Sequence, residues 1–203
     1  MSRPDTSIDP RMLESAKKEF LSCGFEKASL NTICANAGVT TGAFYKRYRG
    51  KAELFEALVA PVLGEIDVLF GQIEQRNYRL LDDSGLRAMW DMSESTHTAW
   101  IEFLYERYAA MKLLLCCSEG TPHSNFIHMV AERNTKQSMD FLNEIKRRGL
   151  AANDVSEDEL HILLSAYWSS IFETIIHDFS KEKALRYVKT LVKFFNWEVI
   201  FGF

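Results

Sequence analysis

The sequence predicts an all-α fold: an N-terminal three-helix domain followed by a larger helical domain. Three observations carry that expectation. Four Pro and ten Gly in 203 residues are too few for a turn-rich β fold. Apolar residues recur at helical spacing through most of the chain. Capping residues stand at regular intervals in front of those periodic runs. A hydrophobic share of 47% excludes a disordered chain.

The elements follow in order. Asp9 suits an N-cap and Pro10 the first helical position, with Ile8 and Leu13 spaced as a hydrophobic staple. Leu13, Ala16, Phe20 and Cys23 form the stripe of this first helix, and Gly24 stops it. Ser29 caps a short second helix whose Leu30, Ile33, Cys34 and Ala37 share one face. Gly38 ends it. Thr40 caps a third short helix running to about Tyr48. Gly50 opens a fourth, with Glu53 at its third position and Pro61 as a kink. Beyond Asp82-Asp83-Ser84-Gly85, helices are expected over 85–117, 122–148, 156–179 and 181–200. Ser156 and Glu159 are spaced as a capping box, and Ser180 caps the last helix. The domain boundary is placed at 58, giving 1–58 and 59–203.

Charge divides along the same line. Residues 1–58 hold nine basic and seven acidic residues, and 59–203 hold 15 basic and 21 acidic. A basic head on an acidic body points to an anionic partner at one end. No run of about 18 apolar residues is present to cross a membrane. The polar start "MSRPDTSIDP" lacks a signal-peptide core, which predicts a cytoplasmic protein with no membrane partner. Cys23, Cys34, Cys116 and Cys117 form no C-x-x-C pair, so neither a disulfide framework nor a metal site is expected. "CCSEGTPHSNFIH" offers Cys116, Cys117, His123 and His128 as metal-ligand types, or a thiol pair for redox sensing, but not at a recognised spacing. His97, His123, His128, His161 and His177 with Glu102, Glu106 and Glu173 show no catalytic spacing either. The expectation is a protein without cofactor that is not an enzyme.

The informative stretch is 28–50. Two short helices joined by a tight Gly turn form a helix-turn-helix. Cys34 is small where the helices must approach, and Gly38 supplies a positive φ without strain. Thr41, Gly42 and Ala43 leave a slim nose for a major groove, followed by Tyr45, Lys46 and Arg47. Lys51 opposes the dipole of its own helix, an arrangement that a nearby phosphate would reverse.

Residues 11–58, "FLSCGFEKASLNTICANAGVTTGAFYKRYRGKAELFEAL" above all, resemble the N-terminal domain of the tetracycline-repressor (TetR/AcrR) family of bacterial regulators. Gly24-Phe25, Ala37-Gly38-Val39, Gly42, Phe44-Tyr45 and Lys51 fall at family positions. Cys34 departs from the usual Ala, Arg47 from an aromatic, and Gly50 from a Ser, Asn or Asp cap. The resemblance implies that Ser29, Thr40, Tyr45 and Lys51 hold phosphates. It places Thr41, Gly42, Ala43 and Lys46 nearest the bases, with Arg47 adding charge. Arg3 is a minor-groove candidate. It also implies a homodimer, a small-molecule effector and a palindromic double-stranded operator, with repression the expected outcome. An architectural DNA-binding protein without effector is the alternative.

Two expectations concern the body. The helix over 156–179 is apolar nearly all round, so it is buried on two sides. One side is expected to meet a second copy through Leu160, Leu164, Trp168, Ile171 and Ile175, joined by Leu191 and Phe195 of the last helix. Trp90, His97, Trp100, Phe103, Tyr105, Tyr108, Phe126, Tyr167 and Phe172 supply aromatic surface for a pocket holding an apolar or aromatic effector.

Overall fold

The computed structural model describes residues 8–79, 82–90 and 93–202, and every regular element within them is a helix. In order these are α1 (Ile8–Lys27), α2 (Leu30–Ala37), α3 (Thr41–Tyr45), α4 (Lys51–Tyr78), α5 (Asp83–Ala88), α6 (Glu94–Glu106), α7 (Tyr108–Cys116), α8 (Phe126–Arg147), α9 (Glu157–Ile176), α10 (Lys181–Phe194) and α11 (Trp197–Phe201). Arg3 lies outside the described residues. The chain forms two compact units. The first is 1–65 with 107–124, and the second is 66–106 with 125–203. Helix α4 therefore starts in one unit and ends in the other, and α7 packs with the N-terminal helices.

The first unit is built around α1. Met12, Ala16 and Phe20 are fully buried on it, whereas Leu13 and Cys23 are only half-buried. The stripe keeps the expected Ala16 and Phe20 and takes Met12 in place of Leu13. Gly24 breaks the helix at φ 77° and ψ 165°, and a single further turn ends at Lys27. The break aims the Phe25 N–H at the Cys117 carbonyl, 2.9 Å away, which ties α1 to the end of α7. Phe20, Phe25 and Phe55 close the core with ring centroids 5.4–5.8 Å apart. The Ser15 hydroxyl donates to the Ile33 carbonyl at 2.8 Å, joining α1 to α2 without a bare buried polar group.

The second unit places α9 against α8 and α10 against α6. The capping box at Ser156 and Glu159 is formed, and Val155 and Leu160 beside it are buried. The single helix expected over 85–117 is three helices. Asp82 caps α5 through the Gly85 N–H at 2.7 Å, and Arg107, at φ −115° and ψ 24°, separates α6 from α7. The helix expected over 181–200 is also divided. Asn196 accepts from the Val199 N–H at 3.2 Å and so caps α11 as a separate element.

Candidate functional site

The candidate nucleic-acid interface is α2, its turn and α3. Gly38 adopts φ 64° and ψ 37°, and Val39 returns its N–H to the Cys34 carbonyl at 2.9 Å. A residue with a Cβ is strained in that conformation, which is why the turn needs glycine. Phe44 is fully buried and stacks on Tyr48, its ring centroid 5.7 Å away. This anchor leaves Thr41, Gly42, Tyr45 and Lys46 exposed and Ala43 half-buried. The slim nose is therefore on the surface, flanked by a phenol and an ammonium.

Two exposed hydroxyls cap the helices of the motif. Ser29 Oγ accepts from the Thr32 N–H at 3.4 Å, and Thr40 Oγ1 accepts from the Ala43 N–H at 3.2 Å. A hydroxyl that accepts as a cap retains its own O–H for donation. Each can thus cap a helix and hold a phosphate oxygen together. Removing the cap alone costs about 1 kcal/mol.

Lys51 and Arg47 are used differently from expectation. The Lys51 ammonium donates to the carbonyls of Phe25 and Glu26 at 2.7 Å each and of Ala28 at 3.3 Å. It also lies 4.7 Å from the centroid of the Phe25 ring. An ammonium has three donors, and these carbonyls take all of them. The phosphate role is corrected accordingly: Lys51 closes the open end of α1. Arg47 turns back to Asp9, with Nε 3.0 Å from Oδ1. Its charge is therefore already paired at the start of α1. Glu53 receives the Arg49 N–H at 2.6 Å, one residue before the expected cap at Gly50. Arg49 is exposed beside α3 and was not singled out by spacing.

The second unit holds a cavity of about 120 Å³. Phe70, Trp90, Trp100, Phe141, Trp168 and Trp197 supply its aromatic wall, with Glu74, Asn77, Asn134 and Gln137 among the polar groups. Of the expected lining, Trp90 and Trp100 are there. His97 is buried instead, with Nδ1 3.0 Å from the Ser93 carbonyl oxygen. Phe103 packs edge-on to Trp100, Phe126 meets Phe172, and Phe172 stacks on Trp168 behind the wall. Tyr167 is core, Tyr105 donates its hydroxyl to the Phe179 carbonyl at 2.8 Å, and Tyr108 belongs to the first unit.

The expected interface set is corrected as a whole. Leu160, Leu164, Trp168, Ile171, Ile175, Leu191 and Phe195 are each no more than 4% exposed within a single chain. Leu164 and Trp168 line the cavity. The chain itself covers α9 at each of these positions, while Ile162 on the same helix is 66% exposed. A second copy has nothing to cover at these positions.

Cys116, Cys117 and His123 lie in the first unit and His128 in the second. His123 pairs with Glu56 at 2.8 Å, and His128 meets the His161 ring edge-on. Among the described residues no three His, Cys, Asp or Glu side chains gather as a metal site. No helix among them is long and apolar enough to cross a membrane.

Residues 12–58 match the family described as bacterial regulatory proteins, tetR family. Over 167 residues the chain is 23% identical to the HTH-type transcriptional regulator SrpR of Pseudomonas putida, covering 82% of this chain and 70% of that one. NalD, the secondary repressor of the MexAB-OprM multidrug efflux pump in Pseudomonas aeruginosa, superposes with a TM-score of 0.59 at 18% identity, over 92% of each chain. A member of the TetR transcriptional regulator family from Streptomyces coelicolor A3 gives a TM-score of 0.53 at 15% identity, over 100% of this chain and 92% of that one. These structural likenesses speak for the fold, and the helix-turn-helix match for the chemistry. With its exposed Thr41–Lys46 nose on a Gly38 turn, the stretch 12–58 is a helix-turn-helix domain of the tetR family of bacterial regulatory proteins.

Proposed function

We propose that the protein is a homodimeric, ligand-responsive repressor that leaves a palindromic operator when a small aromatic effector binds. The observation that carries this reading is the outer face of α3. Thr41, Tyr45 and Lys46 are exposed around a nose of Gly42 and Ala43, and the exposed Ser29 and Thr40 hydroxyls cap α2 and α3. Thr41 and Lys46 read bases; Tyr45, Ser29 and Thr40 hold phosphates. The protein would act in the cytoplasm, where its operator is. DNA binding is assigned to 1–58 and regulation with dimerisation to 59–203, of which 107–124 pack within the first unit.

Dimerisation is supported by apolar side chains that one chain leaves bare. Ile162 on α9, Phe194 on α10 and Val199 on α11 are 66%, 77% and 70% exposed. A two-fold pairing sets two recognition helices about 34–36 Å apart, one turn of DNA. Effector response is supported by α4. Phe70, Ile73 and Asn77 of the cavity wall stand on it, and its first residues belong to the helix-turn-helix unit. The effector acts through unequal affinity for two geometries of the dimer.

Selection of bound fragments from genomic DNA tests the reading; the expected result is an enriched palindrome with half-sites one helical turn apart. No enriched palindrome overturns it. Lys46→Ala is expected to weaken operator binding and relax preference at one base position by about 1–3 kcal/mol. Equal loss on operator and random DNA would move Lys46 from base to phosphate.

A further inference from the structure

We propose that the cavity of the second unit takes a cation: an aromatic molecule of one-ring size whose ammonium group is received by Glu74 beside the rings of Phe70, Trp100 and Trp168. This rests on reading the cavity as the effector site; the aromatic wall alone leaves the charge of the ligand open.

Position comes first. Phe70, Ile73, Glu74 and Asn77 of α4 line the cavity, and their spacing puts them on one helical face. Phe70 is 3% exposed, so this is the buried face. Glu74 is half-buried on it. Gln137 of α8, also in the wall, donates its Nε2–H to Glu74 Oε2 at 3.2 Å. The polar ends of the two side chains therefore meet between two helices that wall the cavity. A carboxylate only accepts, so the amide presents its nitrogen and keeps its own oxygen free. Glu74 Oε1 and Gln137 Oε1 have no partner among the described residues, and both are open to water rather than sealed in the packing. Asn77 Oδ1, by contrast, is sealed and takes no part. Two open acceptors, one of them charged, ask for a donor that carries positive charge.

The other charges near the wall do not cancel this one. Arg76 also lines the cavity, but it is exposed and stands two residues from Glu74, off the face that holds Phe70 and Asn77. Water and salt screen an exposed guanidinium more than a half-buried carboxylate. Arg133 lies over the Phe70 ring, 5.1 Å from its centroid, and its charge is paired with Asp67. That contact shows the aromatic cluster accepting a cation on one of its rings. Phe70, Trp100 and Trp168 stand with ring centroids 4.9–5.8 Å apart. The faces of such rings attract an ammonium within about 6 Å. The remaining polar groups of the wall are neutral amides, hydroxyls and indoles, which fix no sign of charge. Size sets the rest. A cavity of about 120 Å³ is somewhat smaller than an engineered apolar cavity of about 150 Å³ that holds benzene, which limits the ligand to one ring.

The test uses the full chain and three one-ring probes near neutral pH: benzylammonium, benzyl alcohol and benzoate. They share the ring and differ in charge. In the unaltered protein benzylammonium is expected to bind at least about tenfold tighter than benzyl alcohol, with benzoate the weakest. Benzyl alcohol is expected to displace benzylammonium, as a shared site requires. Glu74→Gln keeps the shape and removes the charge. It is expected to lower benzylammonium affinity by about tenfold and that of benzyl alcohol by less than about threefold. Equal affinities for these two probes, or benzoate as the tightest, overturn the cation and leave the cavity as effector site. Failure of displacement puts the cation elsewhere and overturns the proposal. An undiminished preference for benzylammonium in Glu74→Gln overturns the role of Glu74. Binding of none of the three, up to the solubility limits, overturns both the cation and the effector site. The comparison of probes in the unaltered protein needs no folded variant.

Discussion

Lys51→Met is expected to destabilise the first unit by about 2–4 kcal/mol, because charged hydrogen bonds contribute about 1.5–3 kcal/mol each and are not additive. The salt dependence of operator binding is expected to stay unchanged. The methionine keeps the stem and the contact with the Phe25 ring. It removes the donors that the Phe25, Glu26 and Ala28 carbonyls now receive. Those carbonyls lie where α1 ends after the Gly24 break. Water replaces part of the loss at Glu26, which is exposed, and less of it at Phe25 and Ala28, which are buried. A phosphate-binding lysine behaves in the opposite way. Its loss lowers the salt slope by about one and leaves stability nearly untouched. Thermal unfolding and a salt titration of operator affinity, the latter at a temperature where the variant is folded, separate the two. A slope lowered by one with unchanged stability would return Lys51 to the DNA.

That pair of outcomes also shows where sequence reasoning works and where it stops. The helix-turn-helix was legible because its determinants are local. Ser29, Gly38 and Thr40 act on backbone groups within three to four residues, and the structure forms each of these caps. The exposed nose followed from the same spacing. Lys51 was legible only as a question. Its position against the helix dipole asks for negative charge nearby. The acceptors that answer are backbone carbonyls 23–26 residues earlier, and no local pattern names them. Arg47 is a similar case, since Asp9 is far from it in sequence.

The body was legible in outline and not in detail. Asn196 is an N-cap that sequence inspection passed over, because apolar residues continue on both sides of it. The break at Arg107 has no Gly or Pro to announce it, and it coincides with the boundary between the two units. Cavity walls were recoverable in part. Aromatic composition finds Trp90 and Trp100, but it cannot tell a wall from the row behind it, where Phe126, Tyr167 and Phe172 stand.

Helix α9 carries the second large effect. Its apolar girth leads to an expectation of burial on two sides, whereas the buried residues share one broad face and Ile162, Ala166 and Glu173 are exposed on the other. In the structure Ile171 is 1% exposed within one chain, and Ile162 is 66% exposed. Ile171→Ala is therefore expected to destabilise the second unit by about 2–5 kcal/mol, the range for truncating a buried Ile. The loss should appear at every protein concentration. Self-association measured under native conditions should be unaltered, since Ile171 has no surface to offer a partner. Phe194→Glu is expected to do the reverse. It places a charge at a position 77% exposed in one chain, so the folded monomer tolerates it while an apolar contact between copies does not. Sedimentation should then report a monomer. Apparent stability should fall only by the concentration-dependent share that dimerisation adds. An Ile171→Ala protein that dissociates without losing monomer stability would restore the buried set to the interface. A Phe194→Glu protein that stays dimeric would remove Phe194 from it, and the search for the contact would move to Ile162 and Val199.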